Sequence, residues 1–103
     1  MIVLKFGGTS VSGSTQIQQV IKILKQQDKP IAVVVSALGG VTDDLHALGM
    51  EAANGITSYT DGLKAVEERH IDLVKELIPV AKQSAVLSAT KQMMNSLETI
   101  LDG

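Results

Sequence analysis

Two short segments of this chain combine paired glycines with hydroxyl side chains, and the first also carries a lysine. They are Lys5-Phe6-Gly7-Gly8-Thr9-Ser10 and Ser36-Ala37-Leu38-Gly39-Gly40-Val41-Thr42. Glycine pairs permit backbone angles and close approaches that a Cβ would block, so several N–H groups can be directed at one anion. A neighbouring lysine adds positive charge. The first segment therefore suits a phosphate-sized anion, although an ordinary Gly-Gly turn beside a solvent-exposed lysine fits the same residues.

Each glycine segment follows a short apolar run that is typical of a buried β-strand. Residues 2–6 and 31–35 are rich in β-branched side chains, and the second run is continuous, as in a parallel strand covered on both faces. A helical pattern lies between them, with apolar positions at Ile17, Val20, Ile21 and Leu24. Strand, helix and strand within about 35 residues predict a βαβ unit with parallel strands.

The two glycine segments are expected to meet. The carboxyl ends of parallel strands lie at one edge of the sheet, and ligands of open α/β sheets bind beyond that edge. We therefore predict that both segments face one shared crevice. This coincidence is stronger evidence for a site than either glycine pair alone.

The rest of the chain predicts helices. One follows the second glycine segment, a second runs from about Asp61 to Ile78, and a third from about Gln83 to Leu101, with Pro79 between the last two. Their inward positions are Leu45, Leu48, Ala52, Leu63, Val66, His70, Leu73 or Val74, Leu77, Leu87, Met93 or Met94, Leu97, and Ile100 or Leu101. The expected N-terminal caps are Ser14 or Thr15 for the first helix of the chain and Thr42 or Asp43 for the second.

Only two strands are visible, and a covered parallel sheet needs more neighbours than this sequence supplies. Two explanations stay open. Either the chain is a fragment and the rest of the sheet belongs to other sequence, or self-association supplies the missing layers.

Composition excludes several function classes. A net charge of −2, one Tyr and one Phe argue against a nucleic-acid surface. The absence of cysteine rules out disulfides, thiolate metal sites and a cysteine nucleophile. No apolar run is long enough for a membrane span and no signal-peptide pattern opens the chain, so we expect a cytoplasmic protein. We assign no metal ligand, because Asp43 and Asp44 suit the N-terminal dipole of a helix and His46 and His70 are isolated.

The two glycine segments resemble the aspartokinases of the amino acid kinase superfamily. Lys5-Phe6-Gly7-Gly8-Thr9-Ser10-Val11 is similar to the first motif of that family, and Val34-Val35-Ser36-Ala37-Leu38-Gly39-Gly40-Val41-Thr42-Asp43 to the second, in the same order and with similar spacing. Met1 and the stretch Glu67-Glu68-Arg69-His70 are similar to aspartokinases fused to homoserine dehydrogenase.

The resemblance implies a fold, a reaction and a set of site residues. The fold would be the N-terminal part of a three-layer αβα, carbamate kinase-like domain with a parallel sheet core, and residues 1–103 an incomplete portion of it without regulatory domains. The reaction would be ATP-dependent phosphorylation of the L-aspartate side chain, with Mg²⁺, in lysine, threonine and methionine synthesis. Lys5 would contact the transferring phosphate, Phe6, Gly7, Gly8, Thr9 and Ser10 would bind ATP, and Ser36 and Thr42 would lie at the aspartate end.

Three further expectations follow from the resemblance. The partners would be L-aspartate, ATP and further copies of the chain, with no nucleic acid and no membrane. The fragment alone would be inactive, because the family's remaining site residues are absent. The alternatives are another family member, such as a glutamate, acetylglutamate or uridylate kinase, or a non-catalytic module whose long helices mediate assembly.

Overall fold

The computed structural model describes all 103 residues and consists of two strands and four α-helices. The elements in chain order are β1 (Ile2–Phe6), a 3₁₀ turn (Gly8–Val11), α1 (Ser14–Lys25), β2 (Ile31–Val35), α2 (Val41–Ala53), α3 (Tyr59–Leu77) and α4 (Val80–Asp102). The chain divides into two compact units, Met1–Thr42 and Asp43–Gly103. None of the helices is both long enough and apolar enough to cross a membrane.

The first unit is the predicted βαβ arrangement. Strands β1 and β2 pair in parallel, with Ile2 opposite Ile31 and Phe6 opposite Val35. The sequence therefore predicted the bounds of both strands and their orientation correctly, because short, mainly apolar runs bounded by glycine or proline leave little freedom.

The predicted burial of the strands was wrong for this chain. Val3 is 62% exposed on β1, and Val35 is 57% exposed on β2. Leu4 and Phe6, which share one face of β1, are half-buried, whereas Val3 and Lys5 on the other face are exposed. A β-branched run is typical of a strand that is covered on both faces. Two strands with one neighbouring helix cannot supply that cover.

The predicted side-chain caps are also absent. The residue before α1 is Gly13, and no side chain caps that helix. Helix α2 begins at Val41, so Thr42 and Asp43 lie in its first turn rather than at its cap. The carboxylates of Asp43 and Asp44 still lie at the positive end of the helix dipole, as expected.

The second unit is built on an antiparallel pair of long helices. The Tyr59 hydroxyl at the start of α3 donates to Asp102 at the end of α4, and Lys91 Nζ lies 2.7 Å from Glu67 Oε1 between them. Buried side chains line the seam, namely Leu63, Val66 and Val74 from α3 and Met94 from α4.

The structure decides the alternatives that helical spacing left open. Val74 is buried whereas Leu73 is half-buried, and Met94 is buried whereas Met93 is 71% exposed. Leu101 is half-buried and Ile100 is 73% exposed. Gly103 caps α4 through its N–H, which donates to the Thr99 carbonyl.

Candidate active site at the strand ends

The two glycine segments pack against each other at the carboxyl ends of β1 and β2. A Cβ built on Gly39 would lie 2.9 Å from the Gly8 carbonyl oxygen and 3.0 Å from the Ser12 Cβ. A Cβ on Gly8 would lie 3.6 Å from the Gly39 Cα. This separation leaves no room for a side chain at position 39, so glycine is required there by packing. The predicted meeting of the segments is confirmed.

A hydrogen bond of the sheet leads directly into this contact. The Ser36 N–H donates to the Phe6 carbonyl at 3.1 Å and extends the parallel pairing one residue beyond β2. The two segments therefore leave the sheet side by side, and the Gly8–Gly39 contact lies a few residues further on.

The first segment forms a compact turn. The Ser10 N–H donates to the Gly7 carbonyl at 3.1 Å, and the Ser12 hydroxyl donates to the Thr9 carbonyl at 3.0 Å. Gly7 has φ −82° and ψ −178°, which any residue can adopt. A Cβ at Gly7 would meet no protein atom within 4 Å. Neither backbone angle nor packing within the chain therefore explains a glycine at position 7.

The second segment needs glycine for a different reason. Gly40 has φ +83°, the left-handed region that side chains disfavour, and it lies immediately before α2. The Val41 N–H donates to the Leu38 carbonyl at 2.9 Å and closes the turn. The two glycines of this segment therefore have different roles. Gly39 allows the first segment to approach closely, and Gly40 allows the chain to reverse direction.

The side chains of the predicted site residues lie in or beside these turns, and none of them forms an ion pair. Lys5 is exposed, lies opposite Val34 in the sheet register and forms no ion pair. Thr9, Ser10 and Thr42 are exposed. The Ser36 hydroxyl is also exposed and donates to the Ala37 carbonyl at 2.6 Å. All predicted site residues fall within the first unit.

The first unit is also electropositive relative to the rest of the chain. Residues 1–42 contain four lysines and a single acid, Asp28, whereas residues 43–103 carry an excess of acids. No carboxylate lies in either glycine segment. At the end of β1 a polyanion would meet N–H groups and Lys5, whereas Asp43 and Asp44 directly follow the second segment.

A small open groove adjoins the first segment. It has a volume of about 180 Å³ and is lined by Phe6, Ser10, Gln16, Gln19, Val20 and Ile23. Phe6 therefore contributes its ring to the boundary of the sheet with α1 and its carbonyl to the sheet.

Sequence reasoning missed Ser12 as a residue that shapes the site. Its side chain stabilises the turn through the hydrogen bond to the Thr9 carbonyl and packs against Gly39. The available signal was a hydroxyl three residues after Thr9, the spacing at which a serine bonds back to a carbonyl.

Comparison with known proteins gives consistent similarities. A model of the amino acid kinase family matches residues 1–102. The chain is 41% identical over 76 residues to an aspartokinase of Chlamydia muridarum, which covers 74% of this chain and 16% of that protein. It is 33% identical over 98 residues to the chloroplastic bifunctional aspartokinase/homoserine dehydrogenase 1 of Arabidopsis thaliana, covering 94% of this chain and 11% of that protein.

Two further matches span nearly the whole chain. An aspartokinase of Rickettsia conorii is 30% identical over 107 residues, covering 99% of this chain and 26% of that protein. The crystal structure of Clostridium acetobutylicum aspartate kinase superposes with a TM-score of 0.77 at 24% identity, over 96% of this chain and 24% of that one. The fold is therefore that of a segment of an α/β kinase domain, and the chain spans about a quarter or less of these proteins.

Proposed function

Because this chain belongs to the amino acid kinase family, we propose that it forms part of the catalytic domain of an aspartate kinase and supplies one wall of the active site. The reaction is transfer of the γ-phosphoryl group of ATP to the side-chain carboxylate of L-aspartate. The observation that carries the proposal is the contact between Gly8 and Gly39, which brings two loops of the required chemistry to one edge of a parallel sheet. The relatives named aspartokinase support the choice of acceptor.

The chemistry of this transfer makes modest demands on side chains. A carboxylate oxygen attacks the γ-phosphorus, the bond to the β–γ bridging oxygen breaks, and ADP leaves with the electron pair. The carboxylate is already anionic, so no general base is needed. The barrier is dominated by bringing two anions together, which positioning and positive charge reduce.

Residues of the first segment suit the phosphate end. Lys5 has no ion-pair partner, so its charge is available to the transferring phosphoryl group. The open space beside Gly7 supports close approach of a ligand to the backbone, because no protein atom occupies the position that a Cβ would take. Thr9 and Ser10 add hydroxyls, and Phe6 holds the strand end in place. Mg²⁺ would be held mainly through phosphate oxygens and would offset their charge.

Residues of the second segment suit the acceptor end. The exposed Ser36 hydroxyl can exchange its Ala37 carbonyl partner for a polar group of L-aspartate, and Thr42 adds a second exposed hydroxyl. Their distance from the phosphate loop is set by the Gly8–Gly39 contact, so the two ends of the reaction are positioned by the same packing.

A chimera tests the proposal directly. Residues 1–103 replace the matching segment of the Rickettsia conorii aspartokinase, and ADP release is measured with L-aspartate, L-glutamate, N-acetylglutamate and UMP as acceptors. We expect ADP release that depends on L-aspartate alone. A folded chimera, judged by circular dichroism and size, that releases ADP with another acceptor or with none would overturn the proposal.

Two variants of the chimera separate the site from the fold. Gly7→Ala is expected to abolish activity while the protein stays folded, because the added methyl occupies the ligand's space and no protein atom is displaced. Thr57→Ala, an exposed residue in the loop before α3, is the matched control and should leave activity unchanged. Full activity of the Gly7→Ala variant would contradict the phosphate assignment.

A further inference from the structure

Ser12 lies between the 3₁₀ turn of the first segment and helix α1, and it touches both glycine segments. Its hydroxyl donates to the Thr9 carbonyl at 3.0 Å. Its Cβ and Cα lie 3.0 Å and 3.3 Å from the position that a Cβ on Gly39 would take. The residue is half-buried there. Its side chain is therefore held against the second segment while its hydroxyl bonds to the backbone of the first.

The hydrogen bond from Ser12 completes the restraint of a single peptide group, the one that joins Thr9 to Ser10. The N–H of this group belongs to Ser10 and donates to the Gly7 carbonyl at 3.1 Å. The carbonyl oxygen of the group belongs to Thr9 and accepts from Ser12 at 3.0 Å. Because a peptide group is planar, hydrogen bonds at both of its ends fix the direction of its dipole. The group cannot turn over without losing both bonds.

The direction of the Thr9 carbonyl matters to an anion that approaches the first segment. A carbonyl oxygen carries partial negative charge and repels a phosphate, whereas backbone N–H groups attract it. In the proposed function the phosphates of ATP approach the backbone at Gly7, two residues before Thr9. A carbonyl that is bonded to Ser12 stays directed at a hydroxyl of the protein. Without this donor the peptide group is free to turn, and the segment would have to be reordered each time ATP binds.

We propose that Ser12 is a positioning residue for phosphate binding, because its hydroxyl keeps the Thr9–Ser10 peptide group in the orientation that prepares the first segment for ATP. In this role Ser12 does not touch the ligand and acts through the Thr9 carbonyl. The inference rests on the proposed function, since it concerns the same site. Lys5 supplies charge to that site, whereas Ser12 fixes the backbone.

The Ser12→Ala variant of the chimera described above tests the proposal. Alanine keeps the Cβ that packs against Gly39 and removes only the hydroxyl, so the two segments should stay together. We expect the KM for ATP to rise about three- to tenfold, the range that corresponds to one neutral hydrogen bond. The KM for L-aspartate and kcat at saturating ATP should be unchanged. The rise in melting temperature that Mg²⁺ and ATP produce should become smaller as well.

Thr60 offers a matched control in the second unit. Its hydroxyl donates to the Thr57 carbonyl at 3.1 Å, a bond that spans three residues like the one from Ser12 to Thr9. Thr60 lies outside both glycine segments. Thr60→Val removes this bond and should leave both KM values of the chimera unchanged.

The kinetic constants separate a positioning role from a merely structural one. An unchanged KM for ATP in Ser12→Ala, an equal rise in both KM values, a fall in kcat, or a rise in the KM for ATP shared by Thr60→Val would each overturn the proposal. In all of these cases the parent chimera would still support the proposed function through its aspartate-dependent ADP release. A parent chimera without that release would overturn the proposed function, and the inference about Ser12 with it.

Discussion

Individual glycines in the candidate site have different physical roles, although the sequence presents them as two similar pairs. Gly39 is required by packing and Gly40 by its φ of +83°, whereas a Cβ on Gly8 would make only ordinary contacts, the nearest at 3.6 Å from the Gly39 Cα. Gly7 has ordinary angles and empty space beside it. Neither backbone angle nor packing within the chain therefore requires a glycine at position 7, and in the proposed function this open space is where a phosphate would approach the backbone.

Alanine at positions 39 and 7 should separate these roles in the unliganded chain. Gly39→Ala is expected to lower the free energy of unfolding by about 1–3 kcal/mol, because the methyl group would overlap the Gly8 carbonyl and Ser12. Gly7→Ala should leave it unchanged or raise it by up to about 1 kcal/mol, since the unfolded chain loses freedom and nothing clashes. Urea unfolding followed by circular dichroism measures both. Equal destabilisation by the two variants would contradict the packing of the Gly39 and Gly7 loops described above.

Lys5 is the residue on which the proposed catalysis depends most. In the chimera described above, Lys5→Met should reduce kcat by about a hundredfold or more, because a positive charge at the transferring phosphate is removed. Lys5→Arg keeps the charge but changes its geometry and should retain part of the activity. Lys22→Met, at an exposed lysine on α1, is the control for general charge loss. A fall in kcat common to Lys5→Met and Lys22→Met would argue for overall charge rather than a specific contact.

At the scale of elements, the α3–α4 pair is joined by hydrogen bonds that depend on protonation. The Asp102 carboxylate accepts from the Tyr59 hydroxyl and raises the pKa of that phenol, and the Glu67 carboxylate raises the pKa of Lys91 in the same way. A raised pKa in the folded state means that folding favours the protonated form. The stabilising effect is therefore complete at neutral pH and is lost as the pH rises through the folded-state values, above about 10.

The helix pair should accordingly weaken in alkali. We expect the urea midpoint to fall as the pH rises above about 10, and the fall to be shallower in a Tyr59→Phe, Lys91→Gln double variant, because neither titrating group remains. Lys82→Gln, at an exposed lysine without an ion pair, is the matched control for general alkaline effects. A double variant with the same alkaline profile as the parent would assign the loss to other groups.

At the scale of the whole molecule, the sheet is the element whose apolar side chains this chain covers least. Val3, Val34 and Val35 are 62%, 49% and 57% exposed, although two-stranded parallel pairs normally lie inside larger sheets. The chain also covers 11–26% of the relatives described above. The proposed active site is therefore one wall of a crevice, and the opposite wall would come from other sequence.

This incompleteness predicts that the 103-residue chain alone lacks kinase activity. A coupled assay with L-aspartate, ATP and Mg²⁺ should detect no ADP formation above the background without aspartate, because positioning of both reactants needs the second wall. The chimera is the positive control for the assay. Aspartate-dependent ADP formation by the purified chain would show that the crevice is complete within it or within its oligomer.

The sequence by itself determined the local features of this protein. The bounds of both strands, their parallel pairing and the existence of the helices follow from β-branched runs, helical spacing and the positions of glycine and proline, all of which act over a few residues. The meeting of the two glycine segments also followed, because parallel strands have only one carboxyl edge.

Tertiary structure alone decided which side chain of an adjacent pair turns inward, and which glycine has which task. The side chains of Met93 and Met94 point in directions only about 100° apart around α4, so helical spacing alone does not decide which one is buried. The packing of α3 against α4 buries Met94 and leaves Met93 exposed. Gly7 and Gly39 belong to similar motifs, yet only the folded chain brings a carbonyl to within 2.9 Å of where a Cβ on Gly39 would lie, while leaving the space beside Gly7 open. Contacts between residues far apart in sequence cannot be read from local pattern, and the candidate site depends on them.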